Sequence, residues 1–224
     1  LASFTCVRES KKKPNIYKKN NFINQITFLN QIVKLGVKKI IFSSSYSAQG
    51  FNKNNSVNFS PYAKYKFLLE KYLETVSKNQ NIKVIVLRYP NVAGSSSDGT
   101  LGERNDKITR IFPTFFKNIT KNKTTTIYYD FKTKTFPFRN YIHVEDIARL
   151  NLLATHYIKK MKKNYLLINI NNKKRFSNKD IFDLMSKKLK KGKFIIKKIS
   201  KFEKTKPLYI NDTKQLNKLM WKPK

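Results

Sequence analysis

Apolar residues recur every three or four positions between residues 15 and 35, which is the spacing of one face of an α-helix. Pro14 stands before this stretch and Gly36 ends it, as at the boundaries of many helices. Residues 37–42 follow as a short apolar run with β-branched side chains, which predicts a buried strand. The first part of the chain is therefore expected to form a long helix followed by a strand.

A second helix and strand follow. Ser60 stands where an N-cap is expected and Pro61 takes the first helical position, which predicts a helix that runs to about Lys78. Residues 83–87 (KVIVL) form another apolar strand, and residues 88–106 are a polar stretch with three glycines that we interpret as a long loop. This alternation predicts an α/β fold, in which a parallel sheet carries helices on its faces.

The rest of the chain continues the alternation. The predicted helices cover residues 108–119, 145–158, 178–189 and 213–219. The predicted strands cover residues 125–129, 141–144, 165–170 and 194–199. Ligands of parallel sheets bind beyond the carboxyl ends of the strands, so the residues that follow Phe42 and Leu87 are the first candidates for chemistry.

The chain is strongly basic, with 48 basic and 13 acidic residues and a formal charge of +35. Hydrophobic residues still make up 40% of it, enough for a packed core. All but seven of the basic residues are lysine, whereas specific nucleic-acid recognition favours arginine, which forms two parallel hydrogen bonds to phosphates and bases. The other abundant residues have codons rich in A and T. We therefore attribute the charge to genome composition and keep a nucleic-acid-binding protein as an alternative.

Cysteine and histidine are too scarce for several kinds of site. Cys6 is the only cysteine, which excludes an internal disulfide and a cysteine-rich metal site. His143 and His156 are the only histidines, too few for a histidine-based zinc site, and we expect no metal. No apolar run approaches the ~20 residues that span a bilayer. No signal peptide is visible, so we expect a cytoplasmic protein.

Three consecutive serines, residues 43–45, follow the first predicted strand. Tyr62 and Lys66 lie four residues apart on the next predicted helix, so both project from one face. An ammonium beside a phenol lowers the pKa of the phenol, and such a phenol accepts a proton from an alcohol near neutral pH. A serine hydroxyl can relay that proton because it both donates and accepts. These residue types are therefore suited to the oxidation of an alcohol.

The spacing of Tyr62 and Lys66 is weak evidence by itself. With 41 lysines and 12 tyrosines in the chain, chance alone gives about two such pairs. Two occur, and the other, Tyr128 and Lys132, begins on a predicted strand, where a spacing of four has no helical meaning. The surrounding sequence has to decide whether the first pair is functional.

Five motifs stand in order along the chain. They are LASFTCVRES at the start, FSSS with SPYAKYK, LRYPNVAG with LGE, RNYIHVEDIA, and KPLYINDTKQLNKLMWKP near the end. In this order they resemble the sugar-nucleotide epimerases of the extended short-chain dehydrogenase/reductase family, and the resemblance covers effectively the whole chain. The serine motif resembles these epimerases rather than the related 4,6-dehydratases, which carry an acidic pair after a threonine.

The resemblance implies roles for individual residues. Tyr62 matches the catalytic base, Lys66 its partner and ribose contact, and Ser45 the proton relay, and all three match positions that contact the cofactor. Asn20 matches a further cofactor-contacting position. The positions that match the binding site for the UDP part of the substrate are Asn91, Arg139 and Tyr209.

The resemblance also implies NAD as the cofactor and C4 epimerisation of a UDP-sugar, such as UDP-glucose and UDP-galactose, through a 4-keto intermediate. The implied fold is the C-terminal portion of a Rossmann-type parallel sheet with helices on both faces, plus a smaller mixed α/β lobe for the UDP-sugar. We expect residues 1–90 and 139–160 in the NAD-binding domain and residues 91–138 and 161–224 in the substrate lobe. Many relatives pair, so a homodimer is expected.

Some features of the family have no match. The glycine-rich loop that binds the cofactor pyrophosphate would stand before Leu1, together with about four strands. Phe202 stands where the family has a phosphate-binding arginine. These departures leave open an inactive or truncated remnant of such an epimerase. The sugar is also open among glucose and galactose, their N-acetylated forms and uronic acids.

Overall fold

The computed structural model describes residues 3–52, 60–103, 110–171, 174–199 and 212–223. The chain divides into two compact units. The first unit contains residues 1–90, 146–171 and 208–224, and the second contains residues 91–145 and 172–207.

The helices are α1 (Val7–Lys12), α2 (Pro14–Lys18), α3 (Asn24–Lys34), α4 (Pro61–Asn79), α5 (Ile111–Thr120), α6 (Val144–Lys160), α7 (Asn178–Leu189) and α8 (Thr213–Lys218). The strands are β1 (Lys39–Ser45), β2 (Lys83–Tyr89), β3 (Asn91–Ala93), β4 (Thr124–Tyr129), β5 (Phe138–His143), β6 (Tyr165–Asn169), β7 (Arg175–Ser177) and β8 (Lys193–Lys198). A π-helical turn, Lys19–Ile23, joins α2 to α3, and a 3₁₀-helical segment, Tyr46–Asn52, follows β1.

Every helix and strand predicted from the sequence has a counterpart at or near the expected residues. The predicted helix over residues 15–35 is divided by the π-helical turn, which apolar spacing does not reveal. The sequence did not predict α1, β3 or β7, because α1 (VRESKK) contains a single apolar residue and the two strands have only three residues each.

The first unit is built on a three-stranded parallel sheet with the strand order β1-β2-β6. On one face, Leu69 and Leu73 of α4 pack with Val84 and Val86 of β2 in a buried cluster. On the other face, Asn151 of α6 donates a hydrogen bond to the Tyr89 hydroxyl. The sheet therefore has helices on both faces, which confirms the predicted fold class.

The second unit has mixed strand pairing. Strand β5 pairs in parallel with β3 and antiparallel with β7, and β4 pairs in parallel with β8. Its core joins α5, β4 and α7 through a group of buried apolar side chains, Phe115, Ile119, Ile127, Ile181 and Phe182.

This division differs in three segments from the one expected from the sequence. Residues 161–171 belong to the first unit because β6 pairs with β2. The end of the chain also belongs there, since Trp221 is buried and its Nε1 donates to the Asp146 carbonyl over 2.9 Å. Residues 139–145 belong to the second unit because β5 pairs with β3 and β7.

Candidate active site

The three serines at the end of β1 have different neighbours, because successive side chains of a strand point to opposite faces. The Ser43 Oγ lies 3.3 Å from the Tyr89 hydroxyl, and the Ser45 Oγ lies 2.7 Å from the Ser47 Oγ. Ser44 faces the other side of the sheet and donates to the Glu70 carboxylate. Ser45 is half-buried at the carboxyl end of the strand.

Helix α4 begins as its sequence predicts. Ser60 is the N-cap, and its Oγ accepts a hydrogen bond from the backbone N–H of Ala63 over 3.2 Å. Pro61 takes the first helical position, where its missing N–H leaves no hydrogen bond unmade. This start places Tyr62 in the first turn and Lys66 one turn later on the same face.

Tyr62 and Lys66 are both buried, with 9% and 7% of their surface exposed. Tyr62 belongs to a cluster of tyrosines with Tyr17 and Tyr65. The Lys66 Nζ donates to the Ser43 carbonyl over 2.9 Å and lies 4.9 Å from the centre of the Phe42 ring. This hydrogen bond joins the helix that carries Tyr62 to the strand that carries Ser45.

Burial lowers the pKa of Lys66 to about 8, because an ammonium loses hydration inside the protein, and the negative charge of Glu70 opposes this shift. A lysine with such a pKa is still mostly an ammonium at neutral pH. It can therefore donate hydrogen bonds and favour the ionised form of a nearby phenol.

Asn20 lies in the π-helical turn, a kind of element that is frequent at functional sites. Its Nδ2 donates to the Asn21 Oδ1 over 2.9 Å. Asn21 is buried and holds the backbone of Phe4 by two hydrogen bonds, one to the Phe4 carbonyl and one from its N–H. The turn therefore fixes the position of Asn20 against the start of the first unit.

Two of the three candidate substrate-binding residues lie on neighbouring strands of the second unit. Asn91 is exposed at the start of β3, and its Nδ2 donates to the Asn140 carbonyl over 3.2 Å. Arg139 lies on β5, two residues before the register partner of Asn91, and its Nη1 donates to the Phe138 carbonyl. Tyr209 and Phe202 lie outside the described residues, so their predicted roles stay predictions.

The sequence interpretation missed a buried ion pair beside Lys66. The Glu70 carboxylate accepts from the Arg88 Nε over 2.9 Å and also from the Arg88 Nη2. Two signals in the sequence pointed to this pair. Glu70 follows Lys66 by one helical turn, and Arg88 interrupts an otherwise apolar strand.

Within the ranges that the structure describes, no group of histidine, cysteine, aspartate and glutamate side chains is arranged to hold a metal ion. In the same ranges, none of the helices has the length and apolar character that crossing a membrane requires.

Comparison with known families adds to this geometry. Residues 1–170 match the model of the NAD dependent epimerase/dehydratase family. The chain belongs to this family. Membership confirms the family predicted from the motifs, and NAD is the cofactor that the family name states.

Among characterised relatives, the chain is 33% identical over 198 residues to a UDP-glucose 4-epimerase of Lactobacillus helveticus. The match covers 84% of this chain and 59% of that relative. A second UDP-glucose 4-epimerase, from Lacticaseibacillus casei, is 33% identical over 197 residues. The chain thus spans about three fifths of the length of these epimerase/dehydratase relatives.

Solved structures of UDP-glucose 4-epimerases share the fold. The enzyme from Thermotoga maritima, solved with UDP-glucose, is 27% identical with a TM-score of 0.82, and the match covers all of this chain and 71% of that one. The enzyme from Bifidobacterium longum, solved with NAD+ and UDP, is 25% identical with a TM-score of 0.87, and the match covers all of this chain and 70% of that one.

Proposed function

We propose that this chain carries the catalytic residues of an NAD-dependent UDP-sugar 4-epimerase that interconverts UDP-glucose and UDP-galactose. The observation that carries the proposal is the hydrogen bond from the buried Lys66 Nζ to the Ser43 carbonyl, because it joins the Tyr-x-x-x-Lys helix to the serine strand end. The names of the characterised relatives support the same reaction.

The side chains present fit the ribose of a dinucleotide. An ammonium donates three hydrogen bonds, of which the Ser43 carbonyl accepts one. The Lys66 ammonium and the Asn20 amide would hold the cofactor, and Ser45 and Tyr62 would face its reactive end. When bound, NAD supplies the hydride acceptor that the oxidation of the sugar alcohol requires.

In this proposal Tyr62 takes the proton from the C4 hydroxyl of the sugar as that carbon is oxidised, and it returns the proton when the ketone is reduced. The positive charge of Lys66 favours the phenolate form of Tyr62. Ser45 passes the proton between the sugar oxygen and the phenol, since its hydroxyl donates and accepts.

The substrate side of the proposal rests on the second unit. The Arg139 guanidinium suits the diphosphate of a UDP-sugar, because it offers planar, paired donors. The Asn91 amide adds a donor and an acceptor on the neighbouring strand. Together they would bind the UDP part of the substrate.

We also propose a homodimer. The apolar surface of helices α2 and α3 supports this proposal, because Ile16 and Phe28 are about half exposed there. Exposed apolar side chains on consecutive helices are suited to packing against a second copy of the chain.

The proposal is tested on the gene product that contains this chain, loaded with NAD and assayed for interconversion of UDP-glucose and UDP-galactose. Tyr62→Phe removes only the hydroxyl that moves the proton, so kcat should fall by roughly 10²–10⁴-fold. The control is Tyr72→Phe on the same helix, whose hydroxyl donates to Asn30 on the protein surface. It should leave the rate unchanged.

Two results would count against the proposed epimerase activity with Tyr62 as its base. A folded, NAD-loaded wild-type protein without epimerase activity would support the alternative of an inactive remnant. Equal rates for Tyr62→Phe and Tyr72→Phe would mean that the reaction takes place without the Tyr62 hydroxyl.

A further inference from the structure

The carboxylate of Glu70 is a buried charge of the first unit with several hydrogen-bond partners. The side chain is 2% exposed. Its oxygens accept from the Arg88 Nε, the Arg88 Nη2 and the Ser44 Oγ. A buried carboxylate with three hydrogen-bond donors around it is held in one position.

The partners of Glu70 come from the strands beneath α4. Ser44 of β1 and Arg88 of β2 are register partners, so their side chains stand side by side on the face of the sheet that α4 covers. Tyr165 of β6 lies there as well, and its hydroxyl donates to the backbone carbonyl of Glu70 over 3.4 Å. The carboxylate is therefore fixed by the sheet and does not depend on the helix alone.

Lys66 lies one helical turn before Glu70, on the same face of α4. Burial disfavours its ammonium, and Glu70 is the charge that opposes this effect. The groups that face Lys66 from β1 are the Ser43 carbonyl and the Phe42 ring, which are uncharged. Arg88 of β2 contributes a positive charge, and it is held at the Glu70 carboxylate by two hydrogen bonds.

Two adjacent serines at the end of β1 contact Lys66 and Glu70. The Ser43 carbonyl accepts from Lys66, and the next residue, Ser44, donates to Glu70. Ser45, the candidate proton relay, follows directly. A change in the position of Glu70 therefore acts on the end of β1 as well as on the charge of Lys66.

We propose that Glu70, held by Arg88 and Ser44, is a positioning residue that keeps Lys66 in its ammonium form and fixes it against the end of β1. The catalytic consequence of this role rests on the proposed epimerase function. The effect on the charge of Lys66 does not, because it depends only on the buried network.

The first test measures the protonation of Lys66 directly. The protein is labelled with acetic anhydride, which reacts with neutral amines, at a series of pH values, and mass spectrometry of the Lys66 peptide gives the labelling midpoint. In Glu70→Gln the midpoint should fall below the wild-type pKa of about 8, by about one unit or more, because the ammonium loses its counter-charge. Glu70→Asp, which keeps the charge, should hold the midpoint closer to that of the wild type.

Glu74→Gln is the matched control. Glu74 lies on the same helix and pairs with Lys71 and Lys78 on the exposed side, so the Lys66 midpoint should not change. If Glu70→Gln also leaves the midpoint unchanged in the folded protein, the proposal is overturned.

A second variant keeps the proposal testable if Glu70→Gln does not fold. The double variant Glu70→Gln/Arg88→Met removes both buried charges together, which proteins tolerate better than the loss of one partner. The midpoint should still fall, by less than in the single variant, because Arg88 no longer repels Lys66. An unchanged midpoint in the double variant would also overturn the proposal.

The catalytic arm uses the pH dependence of epimerisation. Glu70→Gln should lower kcat by about 10-fold at pH 8 with little change in KM. The alkaline limb of its kcat profile should move to lower pH together with the labelling midpoint.

If the midpoint moves but the wild-type protein does not epimerise UDP-sugars, the proposed function fails while the role of Glu70 in the charge of Lys66 stands. If the midpoint moves and the kcat profile does not, the positioning role in catalysis is overturned.

Discussion

Helix α4 carries two pairs of lysine and glutamate at the same spacing of four residues, and the two pairs lie in opposite environments. The side chains of Lys66 and Glu70 are buried on the face of the helix that contacts the sheet. Glu74 and Lys78 form an ion pair over 3.3 Å on the exposed side, where the Lys78 side chain is 66% exposed. Residue types and spacing are the same and the order is reversed, which changes such a pair by only a few tenths of a kcal/mol, so a large difference in behaviour comes from the surroundings.

The surroundings change what each charge can do. On the exposed side, water hydrates both partners, and hydrogen bonds from Lys71 and Lys78 hold the pKa of Glu74 below its ordinary value. On the buried side, Glu70 depends on Arg88 and Ser44 for its hydrogen bonds. We therefore expect removal of the exposed pair to have little effect on stability, and removal of a charge from the buried pair to have a large one.

The largest expected difference is in stability. Glu70→Gln leaves Arg88 buried without its counter-charge, and it should lower the free energy of unfolding by about 3–5 kcal/mol. Glu74→Gln should change it by less than about 0.5 kcal/mol. Urea unfolding followed by the fluorescence of Trp221 measures both, because this residue is the only tryptophan of the chain and is buried in the first unit. If the two variants lost similar amounts of unfolding free energy, burial would not explain a difference between the two pairs.

Only part of the difference between the two pairs can be predicted from the sequence. Ser60, Pro61 and the apolar spacing predict α4, because capping and periodicity are local signals. The spacing of Lys66 and Glu70 is visible too, but the depth of burial is not, since it depends on strands far along the chain. The partnership of Glu70 with Arg88 depends on the register of β1 and β2, which no local pattern specifies.

The same limit applies to the rest of the candidate site. The motif around Tyr62 and Lys66 identifies the residues. The predicted strand ended at Phe42, where the apolar run stops, whereas β1 continues through the three serines to Ser45. The π-helical turn that contains Asn20 was not predicted, because α-helical and π-helical turns differ in hydrogen bonding and not in an apolar pattern that the sequence reveals. The structure places β6 in the first compact unit because β6 pairs with β2, and no local pattern of the sequence specifies that pairing.

A smaller effect should appear in the pH dependence of stability. The pKa of Lys66 is about 8 in the fold, against an ordinary value of 10.5. Between these values the unfolded chain binds the proton and the folded chain does not, so the free energy of unfolding should rise with pH in this window. In Lys66→Met this contribution is absent, and the stability of the wild type relative to the variant should increase by about 2 kcal/mol between pH 8 and 10.

Lys78→Met is the control for the pH experiment, because the Lys78 side chain is 66% exposed and stays in contact with water in the folded chain. Its stability relative to the wild type should stay level across the same pH range. Urea unfolding at each pH gives both differences. A level difference for Lys66→Met as well would show that Lys66 is as well hydrated as Lys78.

The smallest expected effect comes from the N-cap of α4. It tests whether the stability of this helix or the Glu70 carboxylate sets the charge of Lys66. Ser60→Ala removes the oxygen that accepts the Ala63 N–H, and it should lower the free energy of unfolding by about 1 kcal/mol, while Ser60→Asp should restore most of that loss. The labelling midpoint of Lys66 should stay at the wild-type value in both variants, because neither alters the hydrogen bonds of Glu70. A midpoint that fell in Ser60→Ala as far as in Glu70→Gln would mean that the packing of the helix, and not the carboxylate, sets the charge of Lys66.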